Sequence, residues 1–409
     1  MTVQVWLADG DRDVEVGQLY STRRRRTETA TFVYDDSYLA RAGAYPLEPA
    51  LPMVAGTLHS GMLAIFGAFG DSAPDRWGRN LVRRAERLRA RESGTAERDL
   101  SELDYLLGVR DDLRQGALRF RIDPGGEFVA PGDDGIPALI DLPELLDISR
   151  RVESDTVAGD EIRRLVRAGS SLGGARPKAH VRTADGKTAI AKFPSEAADT
   201  WNVMAWERVV NVLAARAGIE TAVTELVMVG GRHVLIVDRF DRREGRRIDY
   251  RSAMTMLEAR DGDQRSYLDL AEVIEETSPA TTRDLRELWR RIVFTVMVSN
   301  TDDHLRNHGF LRDGPGWGLS PAFDINPNPA PGTKYLSLAI DGSDPTASLR
   351  LVLEVAPLFR MGLDEARSVL AAIAGVVAGW REEARRVGLT GSEINRMVTA
   401  FDHPGIDVD

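Results

Sequence analysis

The order of strand and helix patterns constrains the fold of this chain more than any other feature of its sequence. Strand-like alternation recurs up to about residue 240, whereas the apolar periodicity after that point is helical, as in residues 267–276, 282–298 and 363–386. A helix is also predicted over residues 250–258. Strands first and helices afterwards predict an α+β fold with two lobes, connected near residue 240.

The first part of the chain has the pattern of a β-rich module. Residues 3–7 and 28–34 have strand composition, and a return that contains Gly17 is expected between them. A helix start follows, with Ser72 as the candidate N-cap and Pro74 in the first turn. The module is therefore expected to combine a small sheet with helices.

Composition excludes several classes of function. The 409 residues carry a net charge of -10, which argues against a broadly electrostatic nucleic-acid binder. The absence of cysteine removes disulfides and thiolate metal sites. The start of the chain lacks a signal-peptide pattern, and no stretch approaches the roughly 18 to 20 apolar residues of a membrane span. We therefore expect a cytoplasmic protein without membrane association.

Polar groups are concentrated in the stretch 298–308, directly after an apolar helix pattern. Asp302 and Asn307 lie five residues apart, the spacing at which a phosphoryl-transfer loop places its base and a metal-binding amide. Asp324 follows as a second acid, so Asp302 is the candidate base, and Asn307 with Asp324 are candidate Mg²⁺ ligands. The alternative is that residues 300–302 end one helix and begin another, but capping leaves Asp324 unexplained.

The two histidines of this stretch allow a different interpretation. His304 and His308 are four residues apart, which on a helix would place both on one face, as metal ligands require. No His-Glu-x-x-His pattern accompanies them. Hydrogen-bonded structural histidines are therefore favoured over a histidine metal site.

A glycine-rich loop at residues 169–178 precedes a predicted hairpin. Small residues let backbone N–H groups approach an anion, although the loop is not a Walker A motif, because Ala175 stands where a lysine would follow Gly174. An Asp-Gly turn then leads into a strand that carries Lys192 among apolar residues. Lys192 is a candidate for binding nucleotide phosphate; the alternatives are a plain strand connection and an edge-strand lysine that reaches solvent.

A strand at residues 233–237 runs into Asp238 and Phe240. Backbone groups at such a connection can bind an adenine edge while Phe240 packs beside the ring. A turn with a core phenylalanine remains the alternative, and only the order of the elements favours the nucleotide hinge.

In this order, the motifs resemble those of the HipA-type kinases. The motifs are Ser-x-Gly-Gly-x-x-Pro-Lys, the strand lysine, Asp-Arg-Phe-Asp-Arg, Asp-x-His-x-x-Asn and Phe-Asp. The likeness includes Pro74–Arg79 and Gly116–Phe120 in the N-terminal module. HipA-type kinases are protein serine/threonine kinases and the toxins of bacterial toxin-antitoxin modules.

The resemblance implies a two-lobed protein-kinase-like fold that uses ATP and Mg²⁺, and autophosphorylation of Ser171, which in that family displaces the loop and inhibits the kinase. It implies a catalytic role for Asp302 and metal binding by Asn307 and Asp324. The residues it implies in nucleotide binding are Gly173, Gly174, Ala175, Arg176, Lys178, Lys192, Asp238, Phe240, His304, Arg306 and Asn307. One position departs from some family members, which have glycine where this chain has Asp303.

The resemblance also implies partners. Family members commonly phosphorylate an aminoacyl-tRNA synthetase and are neutralised by a helix-turn-helix antitoxin, so DNA would be contacted only indirectly, through the antitoxin. Two alternatives stay open: a catalytically idle module that binds an antitoxin, and a small-molecule or lipid kinase on a related fold. The predicted organisation is an N-terminal module at 1–145 and a kinase-like domain at 146–409, comprising a nucleotide-binding lobe at 146–240 and a helical catalytic lobe at 241–409.

Overall fold

The computed structural model describes residues 2–24, 27–129, 136–168 and 176–406. The chain forms two compact units, the first made of residues 1–197 and 241–251, the second of 198–240 and 252–409. Both units combine helices with strands. The α+β prediction is therefore confirmed.

The first unit contains an antiparallel five-stranded sheet. In spatial order, its strands are Thr57–His59, Thr27–Tyr34, Arg12–Arg24, Thr2–Asp9 and Leu118–Arg121. In the strand Thr2–Asp9, the alternate residues Val3, Val5 and Leu7 are buried in an apolar core, as the two-residue period of a strand requires. The β-rich module predicted from the sequence is present.

The return expected at Gly17 is wrong. The chain turns at Gly10, which has a φ of 61° and lies between the paired residues Asp9 and Arg12. Gly17 lies inside the second strand, where a Cβ atom would be 2.1 Å from the carbonyl oxygen of Val33. This glycine is needed for the close approach of two strands and not for a turn.

The first unit also contains helices. They are Asp36–Leu39, Gly67–Asp71, Arg76–Glu92, Glu102–Leu107, Leu142–Glu153 and Gly159–Arg167, with 3-10 turns at Asp111–Leu113 and Leu139–Asp141. The predicted N-cap is wrong: Ser72 follows the helix Gly67–Asp71, and its hydroxyl donates to the carbonyl of Ala68 at 3.2 Å. Asp75 is the N-cap of the next helix because its carboxylate accepts from the N–H of Gly78 at 2.7 Å.

The predicted hairpin is present as the antiparallel strands Lys178–Arg182 and Thr188–Lys192. Gly186, with a φ of 83°, supplies the left-handed residue in its turn.

The other short strands are Arg242–Arg243, Arg246–Arg247 and Asp249–Ser252. The helix predicted over 250–258 is therefore wrong at its start, because residues 249–252 are a strand and the helix begins at Ala253. Asp249 and Arg251 lie on one face of this strand, where they form a buried ion pair of 2.7 Å.

The second unit holds two antiparallel pairs, Thr224–Val229 with Arg232–Asp238, and Gly309–Arg312 with Gly318–Leu319. Its helices are Val203–Arg216, Ala253–Met256, Tyr267–Thr277, Thr281–Val298, Leu349–Val355, Leu363–Val377, Trp380–Arg386, Gly391–Arg396 and Val398–Phe401. Its 3-10 turns are Leu305–Asn307, Ala356–Phe359 and Pro404–Ile406. The helix predicted over 363–386 is thus two helices, which separate at Ala378 and Gly379.

The helix Thr281–Val298 is the structural centre of the second unit. Its last turns are buried on all sides, and the indole N–H of Trp289 donates to the carbonyl of Val352 at 2.9 Å. A helix with apolar residues all round must lie in the core. Its C-terminal end is therefore held at a fixed place by packing.

Across the described ranges, none of the helices combines the length and the apolar character that crossing a bilayer requires.

Candidate active site

The helix Thr281–Val298 ends at a left-handed residue, and this reversal positions the polar stretch. Ser299 has a φ of 52° and is fully buried, and its hydroxyl donates to the carbonyl of Ala400 at 2.8 Å. The N–H of Asn300 donates back to the carbonyl of Thr295 at 3.0 Å. A left-handed cap of this kind directs the following residues away from the helix axis. Residues 300–308 consequently form a loop at the helix end.

Asp302 is exposed on this loop, and Asn307 is buried beneath it. The side-chain amide of Asn307 donates to the backbone carbonyl of Asp302 at 3.0 Å, and the N–H of His304 donates to the same carbonyl at 2.9 Å. No helix starts at Asp302; the next helical turn in this described segment is Leu305–Asn307. Asp302 is thus a loop acid, and the amide oxygen of Asn307 is the atom that remains to bind a cation.

The neighbouring Asp303 is buried under the loop. One of its oxygens accepts from the Tyr267 hydroxyl at 2.6 Å and lies 3.2 Å from Nε2 of His308. Burial acts to raise the pKa of Asp303, but the nearby His308 and the hydrogen bond from Tyr267 outweigh it, and the pKa is lowered. Burial raises the pKa of Tyr267 well above its ordinary value, so its hydroxyl donates as a neutral phenol. Asp303 therefore anchors the loop from below.

Asp324 lies on a second segment in an uncommon backbone conformation. Its φ is 59°, in the left-handed region, which aspartate enters at some cost. The side-chain amide of Asn326 donates to Oδ1 of Asp324 at 3.3 Å. Backbone strain of this kind is common at sites where a side chain must be directed to a ligand.

Two asparagine contacts connect the loop to the Asp324 segment. The N–H of Asn326 donates to Oδ1 of Asn300 at 3.2 Å. The side-chain amide of Asn328 donates to the hydroxyl of Thr301 at 2.8 Å. The residues flanking Asp302 and those flanking Asp324 are therefore neighbours in the second unit.

The donor atoms suit a hard divalent cation. Asn307 and Asp324 supply an amide and a carboxylate oxygen, the ligand types that Mg²⁺ prefers, and Mg²⁺ usually completes its shell with water and phosphate oxygens. Within the part of the chain that the structure describes, no group of three or more His, Asp or Glu side chains is arranged to hold a metal ion. Asn307 and Asp324 are therefore the residues that could hold Mg²⁺ together with water and phosphate oxygens.

The residues predicted at the adenine hinge lie close to the Asp324 segment. The ring centroid of Phe240 lies 5.4 Å from that of Phe323, the residue before Asp324. The N–H of Asp238 donates to the carbonyl of Val223 at 2.9 Å, which fixes the end of the strand Arg232–Asp238. The contact therefore joins the end of this strand to the acid-bearing segment.

The lysines proposed for phosphate binding lie in the first unit. Lys192 is half-buried at the end of its strand, and Lys178 is its partner across the hairpin. The ammonium of Lys178 lies 2.6 Å from a carboxylate oxygen of Asp75, and both side chains are buried. Arg176 is half-buried. The predicted residues Ser171, Gly173, Gly174 and Ala175 lie outside the described residues.

Two other predicted nucleotide contacts are exposed on the loop of the second unit. His304 is exposed, and Arg306 forms an ion pair with Asp261. His308 is buried against the ring of Tyr267, with centroids 5.9 Å apart. The two histidines thus have different environments, one open to solvent and the other in the core.

Several residues that shape the site were not predicted from the sequence. Tyr267, Asn326 and Asn328 support the loop, and Asp75 binds Lys178. Asn326 and Asn328 could have been found, because Asn-Pro-Asn-Pro directly after the second acid is an unusual run of side chains that bond to nearby backbone. Asp75 lies in the Pro74–Arg79 motif, but neither Asp75 nor Tyr267 carries a local signal of its distant partner.

Comparison with known proteins extends these observations. The protein-family model of the HipA-like C-terminal domain matches residues 170–397, and the family model of the HipA N-terminal domain matches residues 3–107. A protein of Sinorhizobium fredii (strain NBRC 101917 / NGR234), named "Putative kinase Y4mE", is 26% identical over 324 residues, which is 72% of this chain and 71% of that protein.

Solved structures with a similar fold include the HipA of Shewanella oneidensis MR-1, from a toxin-antitoxin complex with HipB and operator DNA. It aligns with a TM-score of 0.67 and 17% identity, over 98% of this chain and 95% of that one. The Helicobacter pylori proinflammatory kinase CtkA aligns with a TM-score of 0.44 and 15% identity, over 56% of this chain and 88% of that one.

The structure is that of an α+β protein with an antiparallel N-terminal module, and its fold is shared with the Shewanella oneidensis HipA. The two family models together match most of the chain, and the chain belongs to the HipA family of kinases. The fold and family expected from the order of the motifs are confirmed.

Proposed function

We propose that this chain is an ATP- and Mg²⁺-dependent serine/threonine protein kinase that acts as the cytoplasmic toxin of a toxin-antitoxin module. The observation that carries the proposal is the joining of the Asp302 loop to the Asp324 segment through Asn300 and Asn326. It brings a solvent-exposed acid, a buried amide and a second acid into one neighbourhood, as phosphoryl transfer needs.

Each side chain has a defined role in this proposal. Asp302 accepts the proton of the acceptor hydroxyl. The hydroxyl oxygen then bonds to the γ-phosphorus while the bond between this phosphorus and the leaving ADP breaks. Asn307 and Asp324 hold Mg²⁺, which neutralises charge on the phosphates when bound. Lys192 binds phosphate oxygens, and Asp238 with Phe240 contacts the adenine. Arg176, His304 and Arg306 add nucleotide contacts, as do Gly173, Gly174 and Ala175.

The proposed substrates are Ser171 of the chain itself and a translation component such as an aminoacyl-tRNA synthetase. The proposed partner is a helix-turn-helix antitoxin, through which DNA would be contacted indirectly. The Shewanella oneidensis HipA, which shares the fold, was solved with HipB and operator DNA, and this supports the partner class.

The test is incubation of the purified chain with Mg-ATP, followed by intact-mass and peptide analysis. Phosphate on Ser171 is expected in the wild type and absent in Asp302→Asn and in Asp324→Asn. Asp364→Asn, which changes an exposed acid on the helix Leu363–Val377, is the control and should label as the wild type does.

Full labelling of both acid variants would contradict the proposal. ATP binding without transfer to the chain or to any protein acceptor would favour the idle module instead. Transfer confined to small molecules or lipids would favour a kinase of that other class.

A further inference from the structure

The N-terminal module contacts the predicted phosphate-binding hairpin through a buried ion pair. Asp75 and Lys178, 103 positions apart, approach to 2.6 Å with side chains only 5% and 3% exposed. The indole N–H of Trp77 donates to the backbone carbonyl of Lys178 at 3.1 Å. Both contacts lie within the first unit. The start of the strand Lys178–Arg182 is therefore held by its side chain and its backbone together.

One carboxylate performs two tasks in this arrangement. Oδ1 of Asp75 accepts from the N–H of Gly78 at 2.7 Å and so caps the helix Arg76–Glu92, while Oδ2 binds Lys178. Arg79 donates to the carbonyl of Pro74 at 3.1 Å and pairs with Glu102. The segment Pro74–Arg79 is thus held by several hydrogen bonds, and the carboxylate of Asp75 is directed at the hairpin.

The register of the hairpin gives this support a chemical consequence. Lys178 stands directly across from Lys192 in an antiparallel pair, so both side chains lie on the same face. Like charges in directly opposed positions destabilise a sheet. Asp75 supplies the negative charge that compensates Lys178. A backbone hydrogen bond also holds this strand, because the N–H of His180 donates to the carbonyl of Ala168 at 2.8 Å.

We propose that Asp75 is a positioning residue for nucleotide binding, acting through Lys178. In this assignment Lys178 is the internal partner of Asp75 and not a phosphate ligand, and the pair sets the strand position from which Lys192 meets the phosphates. The inference rests on the proposed function, because it presumes that Lys192 binds nucleotide phosphate.

The experiment is a double-mutant cycle on the full chain with Asp75→Asn, Lys178→Met and the double variant. Asparagine retains the cap of Asp75 but not its charge, so the helix start is preserved. If Asp75 acts through Lys178, all three variants raise the Kd for Mg-ATP, measured by calorimetry, by the same factor of about ten. In Asp75→Asn the kcat at saturating ATP stays within about twofold of the wild type, because the transferring groups are unchanged.

Glu86→Gln is the matched control, since it removes a charge-paired carboxylate from the same helix at a site without contact to Lys178. It should lower thermal stability without changing the Kd for Mg-ATP. Hydrogen exchange without nucleotide adds a second readout: Asp75→Asn should speed exchange of the amides in 178–182, and Glu86→Gln should not.

The outcomes separate the two proposals. A raised Kd in Lys178→Met but not in Asp75→Asn would make Lys178 a direct phosphate ligand and overturn the inference, as would unchanged Kd in both. A wild type that binds Mg-ATP but transfers no phosphate would refute the proposed function, and the Kd cycle with hydrogen exchange would still decide the role of Asp75. A wild type that binds no nucleotide would overturn both.

Discussion

The hydroxyl of Tyr267 donates a 2.6 Å hydrogen bond to the carboxylate of Asp303, and both side chains are buried. The bond connects the helix Tyr267–Thr277 to the loop that carries Asp302. It also gives the buried carboxylate of Asp303 a hydrogen-bond donor inside the second unit.

Removal of this hydroxyl should destabilise the second unit. Tyr267→Phe leaves a buried carboxylate without one of its donors, and the free energy of unfolding is expected to fall by about 2 kcal/mol. The measurement is urea unfolding followed by tryptophan fluorescence. Tyr335→Phe, which changes a largely exposed tyrosine, is the control and should stay within about 0.5 kcal/mol of the wild type. Equal losses in the two variants would contradict the role assigned to Tyr267.

The backbone at Asp324 predicts an order of stability among its variants. Alanine at a φ of 59° suffers the left-handed penalty without the local hydrogen bonding of aspartate, whereas glycine does not. Asp324→Ala is therefore expected to be about 1 kcal/mol less stable than Asp324→Gly, with both unable to transfer phosphate under the proposed function. Thermal unfolding of the variants checks the order. Greater stability of the alanine variant would show that residue 324 does not keep this conformation.

Glu48 predicts a pH dependence of stability in the first unit. Burial raises its pKa to about 7, although its carboxylate accepts from the N–H of Ala68 and lies near Arg251. An acid whose pKa is higher in the folded state binds more protons folded than unfolded. The stability that protonated Glu48 contributes is therefore complete below about pH 4.5 and is lost as the pH rises through about 7. The loss is at most about 3 kcal/mol of unfolding free energy.

Unfolding of the wild type and of Glu48→Gln at pH 5 and pH 8 tests this dependence. Glutamine cannot ionise, so the variant should lose less stability between these two values than the wild type does. Glu127→Gln alters an exposed acid and should retain the wild-type difference. An unchanged difference in Glu48→Gln would assign the pH dependence to other groups.

Local sequence patterns predicted much of the fold. The hairpin around Gly186 is present, and the helices predicted over 267–276 and 282–298 are found at Tyr267–Thr277 and Thr281–Val298. The incorrect predictions concern residues whose role is set by packing in the folded chain. Gly17 serves a close strand contact, Ser72 follows a helix, and residues 249–252 form a strand that carries the buried Asp249–Arg251 ion pair.

The sequence by itself determined the family, the α+β class and the candidate acids, because these depend on residue types at short spacing. Only the tertiary structure placed Asp75 on Lys178, Tyr267 under Asp303 and Asn326 on Asn300. Each of these pairs joins residues far apart in the chain, and such contacts arise when packed helices and strands bring side chains together. The left-handed backbone of Asp324 was likewise decided by its neighbours, because an isolated aspartate prefers other conformations.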